Sequence, residues 1–104
     1  GGGGGDVVLV EGHKNNPDVH VNVSDGASVV IRGCSSNGSA NVTRVHVNGR
    51  CGDVTVEECN GTIVLLQECW GGVRVHDCQQ IRIALGGDPP PHVVFIGCTA
   101  CSVH

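Results

Sequence analysis

Apolar residues along this chain come in short alternating pairs rather than in helical stripes. A pattern of apolar-x-apolar-x-x-Cys recurs five times without a gap: Val29-Val30-Ile31-Arg32-Gly33-Cys34, Val54-Thr55-Val56-Glu57-Glu58-Cys59, Val64-Leu65-Leu66-Gln67-Glu68-Cys69, Val73-Arg74-Val75-His76-Asp77-Cys78 and Val93-Val94-Phe95-Ile96-Gly97-Cys98. A sixth copy, Val45-His46-Val47, reaches Cys51 one residue late, while Val8-Leu9-Val10, Val19-His20-Val21 and Ile81-Arg82-Ile83 keep the apolar pair without the cysteine. Alternation with a period of two marks strands, with Val54 and Val56 turned inward and Thr55 and Glu57 outward. Gly-Asp, Asn-Gly-Thr, Trp-Gly-Gly and Gln-Gln separate the units, and these are turn-sized connections.

From residue 45 onward the pair restarts at 54, 64, 73 and 81, a spacing of 8 to 10 residues. Hairpins would reverse the chain at every unit and send successive cysteines to opposite ends of a sheet. A coil instead puts equivalent positions in columns at the ~4.8 Å strand spacing. The pattern therefore predicts an all-β fold, a parallel β-helix (solenoid) of units of about 9–10 residues, right-handed by the general habit of parallel crossovers. Such units fit two strands per coil of about 19 residues or three per coil of about 28, and three is the preferred reading. Residues 7–104 form the single solenoid domain, and residues 1–6 form a Gly-rich N-terminal arm. Residues 11–18, 33–41 and 86–92, the last with Pro89-Pro90-Pro91, are loops bulging from a corner.

Composition agrees with strands: nineteen Val stand against four Leu, four Ala and no Met. Trp70 and Phe95 are the two aromatics, so the core is thin. A net charge of −4 with Lys14 as the single lysine argues against nucleic acid and anionic membranes as partners. No apolar run approaches the ~18 residues of a membrane span.

Seven cysteines in 104 residues point to disulfide support in an oxidising compartment. Stacked parallel rungs bring Cα atoms within the disulfide window. Two strands per coil would make neighbours of Cys59 and Cys78 and of Cys51 and Cys69; three would pair Cys51 with Cys78 and Cys69 with Cys98. Cys34 and Cys101 complete the candidates, and an unbridged inward ladder of thiols is the competing picture. Asn-x-Ser/Thr acceptors occur at Asn22, Asn37, Asn41 and Asn60, against roughly 0.7 expected from composition. Together these features imply an extracellular, glycosylated protein. The chain starts without Met or a signal peptide, as a processed or partial product would.

Candidate chemistry is sparse. Glu58, Glu68 and Asp77 each precede a cysteine and could bind Ca²⁺ or act as an acid pair, though solvated turn carboxylates are the plainer reading. His20 and His46 share an outward slot that stacking could turn into a metal pair. Scattered surface histidine is the preferred reading, so no metal site is expected. Cys98-Thr99-Ala100-Cys101 has redox spacing without a thioredoxin-like context and reads as an end staple, with zinc through this pair and His104 as the weaker option. The outward second slot reads Val30, His46, Thr55, Leu65, Arg74, Arg82 and Val94. That is not the Thr-x-Thr array of the insect ice-binding solenoids.

The strand pattern is similar to that of pectin-lyase-type β-helices, which need many more coils and a long cleft, so no enzyme is expected. The V-x-V-x-x-C cadence over residues 29–98 resembles the short-coil β-helices of cyclase-associated protein C-terminal and tubulin-cofactor-C domains. That resemblance implies a cytosolic module binding actin or tubulin-related proteins. The principal expectation is different: an extracellular structural glycoprotein, without cofactors, that associates with copies of itself into a fibre. Its open solenoid ends and the outward Val30, Leu65, Val94 and Ile96 would carry the contacts. An extracellular carbohydrate-binding module is a further alternative, with Trp70 as its one exposed-aromatic candidate.

Overall fold

The structure, a computed structural model, describes residues 6–38 and 41–104. The Gly-rich arm therefore lies, apart from Asp6, outside the described residues. Nine strands follow in order: β1 (Val7–Glu11), β2 (Val19–Asn22), β3 (Ala27–Arg32), β4 (Thr43–Glu57), β5 (Thr62–Cys69), β6 (Gly72–His76), β7 (Arg82–Leu85), β8 (His92–Ile96) and β9 (Ser102–Val103). All ladders among them are parallel. One ladder stacks β1, β3, the second half of β4, β6 and β8; the other stacks β2, the first half of β4, β5, β7 and β9. The result is a β-solenoid of about 5 turns.

Each coil holds two strands, not the three preferred from the repeat. The third side is reduced to a corner of single-residue bridges, Lys14–Ser35–Asn60–Gln79–Thr99. Backbone geometry explains why this corner cannot become a strand. A left-handed residue stands immediately before it, at Gly12, Gly33, Glu58, Asp77 and Gly97 with φ of 51° to 73°. A second stands two residues beyond Cys59, Cys78 and Cys98, at Gly61, Gln80 and Ala100, and the first coil repeats it at Asn15. Two such residues turn the chain by their φ alone, and the non-glycine ones cost about 1 kcal/mol each, which packing offsets.

Inward positions form the core. Val29, Ile31, Val54, Val56, Val73 and Val75 stack from one ladder, and Val45, Val47, Val64, Leu66 and Ile83 from the other, all buried. Each such side chain stabilises the fold by roughly 1.5–3 kcal/mol. The buried Thr43 hydroxyl donates to the Ser35 carbonyl at 2.6 Å and accepts from the Asn16 amide at 3.1 Å, so burial leaves it satisfied. One alignment differs from the repeat: Ile83, not Ile81, lies over Val64, so Ala84 rather than Arg82 continues the outward row of His46 and Leu65.

The cysteines also depart from the expectation of a disulfide-supported fold: all seven are free thiols, five buried and two half-buried. Cys34, Cys59, Cys78 and Cys98 line the corner beside the single-residue bridges, and Cys51 and Cys69 pair in register at the opposite corner. These neighbours are the ones a two-strand coil predicts. Each sulfur fills a narrow corner and donates to a nearby carbonyl: Cys51 to Glu68 at 3.2 Å, Cys69 to Gly52 at 3.2 Å, Cys78 to His76 at 3.1 Å. A small apolar group with a weak donor suits such a corner. Burial pushes the Cys78 thiol up. Sharing a proton with Cys34 and burial together push Cys59 up, while the same hydrogen bond holds Cys34 down. Iodoacetamide applied to the folded protein should therefore add at most two labels, on the half-buried Cys98 and Cys101, and seven once the chain is denatured. Intact mass reads both numbers.

Candidate functional site

Outward positions of the first ladder build a continuous face. Leu9, Val30, Thr55, Arg74 and Val94 stack in register from β1 to β8. Valine and threonine suit a half-covered pleated surface, which keeps this face flat and poorly charged apart from Arg74. Along Val30, Thr55, Arg74 and Val94 runs a groove of about 570 Å³, lined also by Asp53, Gly71, Gly72 and His92 at the end nearer the start of these strands. Asp53 fixes that end by accepting the Gly72 amide at 2.9 Å.

Trp70, one residue before Gly71, stands at the same end and is 59% exposed. The Arg50 guanidinium lies 5.4 Å from its ring centroid, a cation–π distance. Arg50 in turn makes a two-pronged pair with Asp25, Nε to Oδ1 at 2.7 Å and a terminal nitrogen to Oδ2 at 2.8 Å. This hydrogen bonding holds the Asp25 carboxyl below its ordinary range and raises Arg50. All three groups are at the surface, so the cluster orients Trp70 more than it stabilises the fold. On the row beside the groove, Arg32 links Glu57 at 2.9 Å and Glu11 at 3.7 Å.

The other ladder presents a shallower hollow of about 290 Å³ around His46, Leu65 and Ala84. At its first rung His20 and His46 pair in register, their rings stacked 4.4 Å apart at 11°. Asp18 joins them, with one donor atom from each residue lying within 4.8 Å of the others.

The structure separates several residues that the repeat groups together. Val30 and Val94 share the groove, whereas Leu65 faces outward from the other sheet. Ile96 sits on the last coil, 52% exposed, in the row of Glu57 and His76. Glu58 and Asp77 occupy equivalent left-handed corner positions, but Glu68 stands in backbone register with Arg50 at the opposite corner, so the three carboxylates do not converge. Near the C-terminus, His104 Nε2 lies 3.0 Å from the Ser102 hydroxyl. Asn22, Asn37, Asn41 and Asn60 are all exposed. Asn22 accepts from the Asn48 side chain at 3.3 Å, and Asn60 bridges the corner. Sequence reasoning overlooked Asp18, which precedes its strand, and the Arg50–Trp70 stack, whose members fall on different coils.

Parallel strands wound on a thiol-lined core, with an apolar outer face and an Arg-braced tryptophan beside it, define a small β-solenoid. The chain matches the family described as adenylate cyclase associated (CAP) C terminal over residues 3–103, and it belongs to that family. No curated protein and no solved structure matches it.

Membership corrects the extracellular placement. The family is one of cytosolic actin-binding proteins, and its C-terminal domain is non-catalytic. Cysteine density was the misleading signal: in a coil this narrow, reduced sulfur serves as packing material. Nothing in the fold requires an oxidising compartment.

Proposed function

We propose that this domain is a non-catalytic module that binds actin through the outer face of the β1–β3–β4–β6–β8 ladder. The observation that carries the proposal is the family match, which spans nearly the whole chain. The choice of face rests on chemistry. The Val30–Thr55–Arg74–Val94 groove is the larger hollow, and Trp70 with Arg50 stands at its end. Tryptophan and arginine beside a desolvated apolar patch are the residues that most often carry binding energy between proteins.

Sedimentation velocity of the domain mixed with monomeric actin tests the reading, with tubulin as the parallel sample. A faster-moving complex with actin is expected. A complex with tubulin alone would transfer the function to the tubulin-cofactor class. No complex with actin at concentrations on the order of 50 μM would refute the proposal.

A second copy of the chain is the other partner the surface favours. On the last coil Val93, Val94, Phe95 and Ile96 are each 38–52% exposed, although Val93 and Phe95 continue the buried columns of Val73 and Val75. A strand from another molecule would continue that ladder. The same sedimentation run on the domain alone reads this as a dimer.

A further inference from the structure

We infer that Asp18, His20 and His46 form a binding site for a divalent transition-metal ion of the zinc class. Three features of the coil make the site. The parallel register sets His20 directly beside His46 on adjacent rungs, so both imidazoles leave the sheet in the same direction. Their rings lie face to face, 4.4 Å between centroids and 11° between planes. Asp18 lies in the turn just ahead of β2, and its carboxylate comes to the same place as the two rings. Its amide donates to the Asn16 side-chain oxygen at 3.1 Å, which holds the turn just ahead of β2.

One donor atom from each of the three residues lies within 4.8 Å of the other two, a separation that a single ion of ~2.0–2.2 Å bond length closes once the two rings tilt out of their stack toward it. Among the described residues this is the one group of three histidine, cysteine or acidic side chains whose donors converge so. The carboxylate is not consumed elsewhere: the ion pairs among the described residues are Arg32 with Glu11 and Glu57, and Arg50 with Asp25.

The donor set decides the class of ion. Two imidazoles and one carboxylate suit zinc, copper or nickel, whereas calcium and magnesium want six or more oxygens. The next rungs above His46 carry Leu65 and Ala84, which offer no donor. Asp18 and His20 are exposed and His46 half-buried, so the remaining coordination positions open to solvent. The site therefore takes three protein ligands and keeps room for water or for a ligand from a docked partner. It is on the opposite ladder from the proposed actin groove and does not depend on that reading.

Free thiols bind zinc as well, so the test must report on imidazole. Long-range ¹H–¹⁵N spectra of the histidine rings, recorded on the reduced full chain as Zn²⁺ is added, separate the two. One equivalent is expected to shift the ring nitrogens of His20 and His46 and to leave His13, His76, His92 and His104 in place. Calorimetry should give micromolar or tighter affinity, falling roughly tenfold or more in each of His20→Ala, His46→Ala and Asp18→Asn. All three positions are surface ones, and an unchanged melting temperature without metal checks that the variants fold. Zinc that moves only cysteine resonances, or that binds equally well to His20→Ala and His46→Ala, would overturn the site, as would affinity no better than millimolar.

Discussion

Gly71→Ala is expected to destabilise the domain by about 2–4 kcal/mol, whereas the neighbouring Gly72→Ala should cost less than about 1 kcal/mol. The contrast is steric. At one corner Gly26, Gly52 and Gly71 stack on successive coils, with the Gly71 amide donating to the Gly52 carbonyl at 2.8 Å and the Gly26 amide donating to Arg50 at 2.8 Å. A Cβ on Gly71 would collide with the Gly52 carbonyl oxygen and the Asp53 carboxylate, and would lie 2.7 Å from the Gly52 carbonyl carbon. The obstacle is backbone, which cannot swing aside, so relief means opening the coil. A Cβ on Gly72 meets nothing closer than His92 at 3.6 Å, an ordinary contact. Urea unfolding midpoints of the two variants measure the difference. Equal midpoints would mean that the corner is looser than the structure has it.

The second large effect separates two residues in the same column. Val75 and Phe95 are in register, both inward, yet Val75 is fully buried and Phe95 is 41% exposed because no coil covers it. Val75→Asp should remove more than about 4 kcal/mol and leave the domain unfolded, since an unpaired carboxylate would be enclosed between rungs. Phe95→Asp should cost about 1–2 kcal/mol, because its carboxylate can reach water from the open end. Circular dichroism melts of both report the outcome. A Phe95 variant as damaged as the Val75 one would show that the last coil is covered in solution, by another chain or by a rearranged terminus.

Much of this fold was legible in the valine pairs. Their alternation marks the strands, and the cysteine closing each unit marks the corner. The 18- and 19-residue separations of Cys51–Cys69 and Cys59–Cys78 name the neighbours that a two-strand coil brings together. What could not be read was whether the corner that follows each cysteine of the first ladder made a third strand. The left-handed φ values that forbid one sit partly on Glu58 and Gln80, residue types that do not advertise a left-handed conformation. The uneven coils added to the difficulty: Val29 pairs with Val54 but Val54 with Val73, 25 and 19 residues apart.

The candidate surface was less legible still. Val30 and Val94 follow from alternation, but Trp70 reads as a lone turn residue until Arg50, from the preceding coil, is seen to brace it. His20 and His46 share a slot in the repeat, so their juxtaposition could be anticipated. Asp18 lies behind Pro17, outside any repeating unit, and only the folded coil brings it in.

Affinity for monomeric actin, measured by fluorescence titration for the native domain and for Trp70→Ala combined with Arg74→Glu, tests the functional account most directly. Both replaced side chains are exposed, so the fold should survive. The expected result is measurable binding by the native domain and a loss of about 2 kcal/mol or more, roughly thirtyfold, in the variant. Equal affinity for the two proteins would contradict the assignment of this face, and no affinity in either would contradict the function.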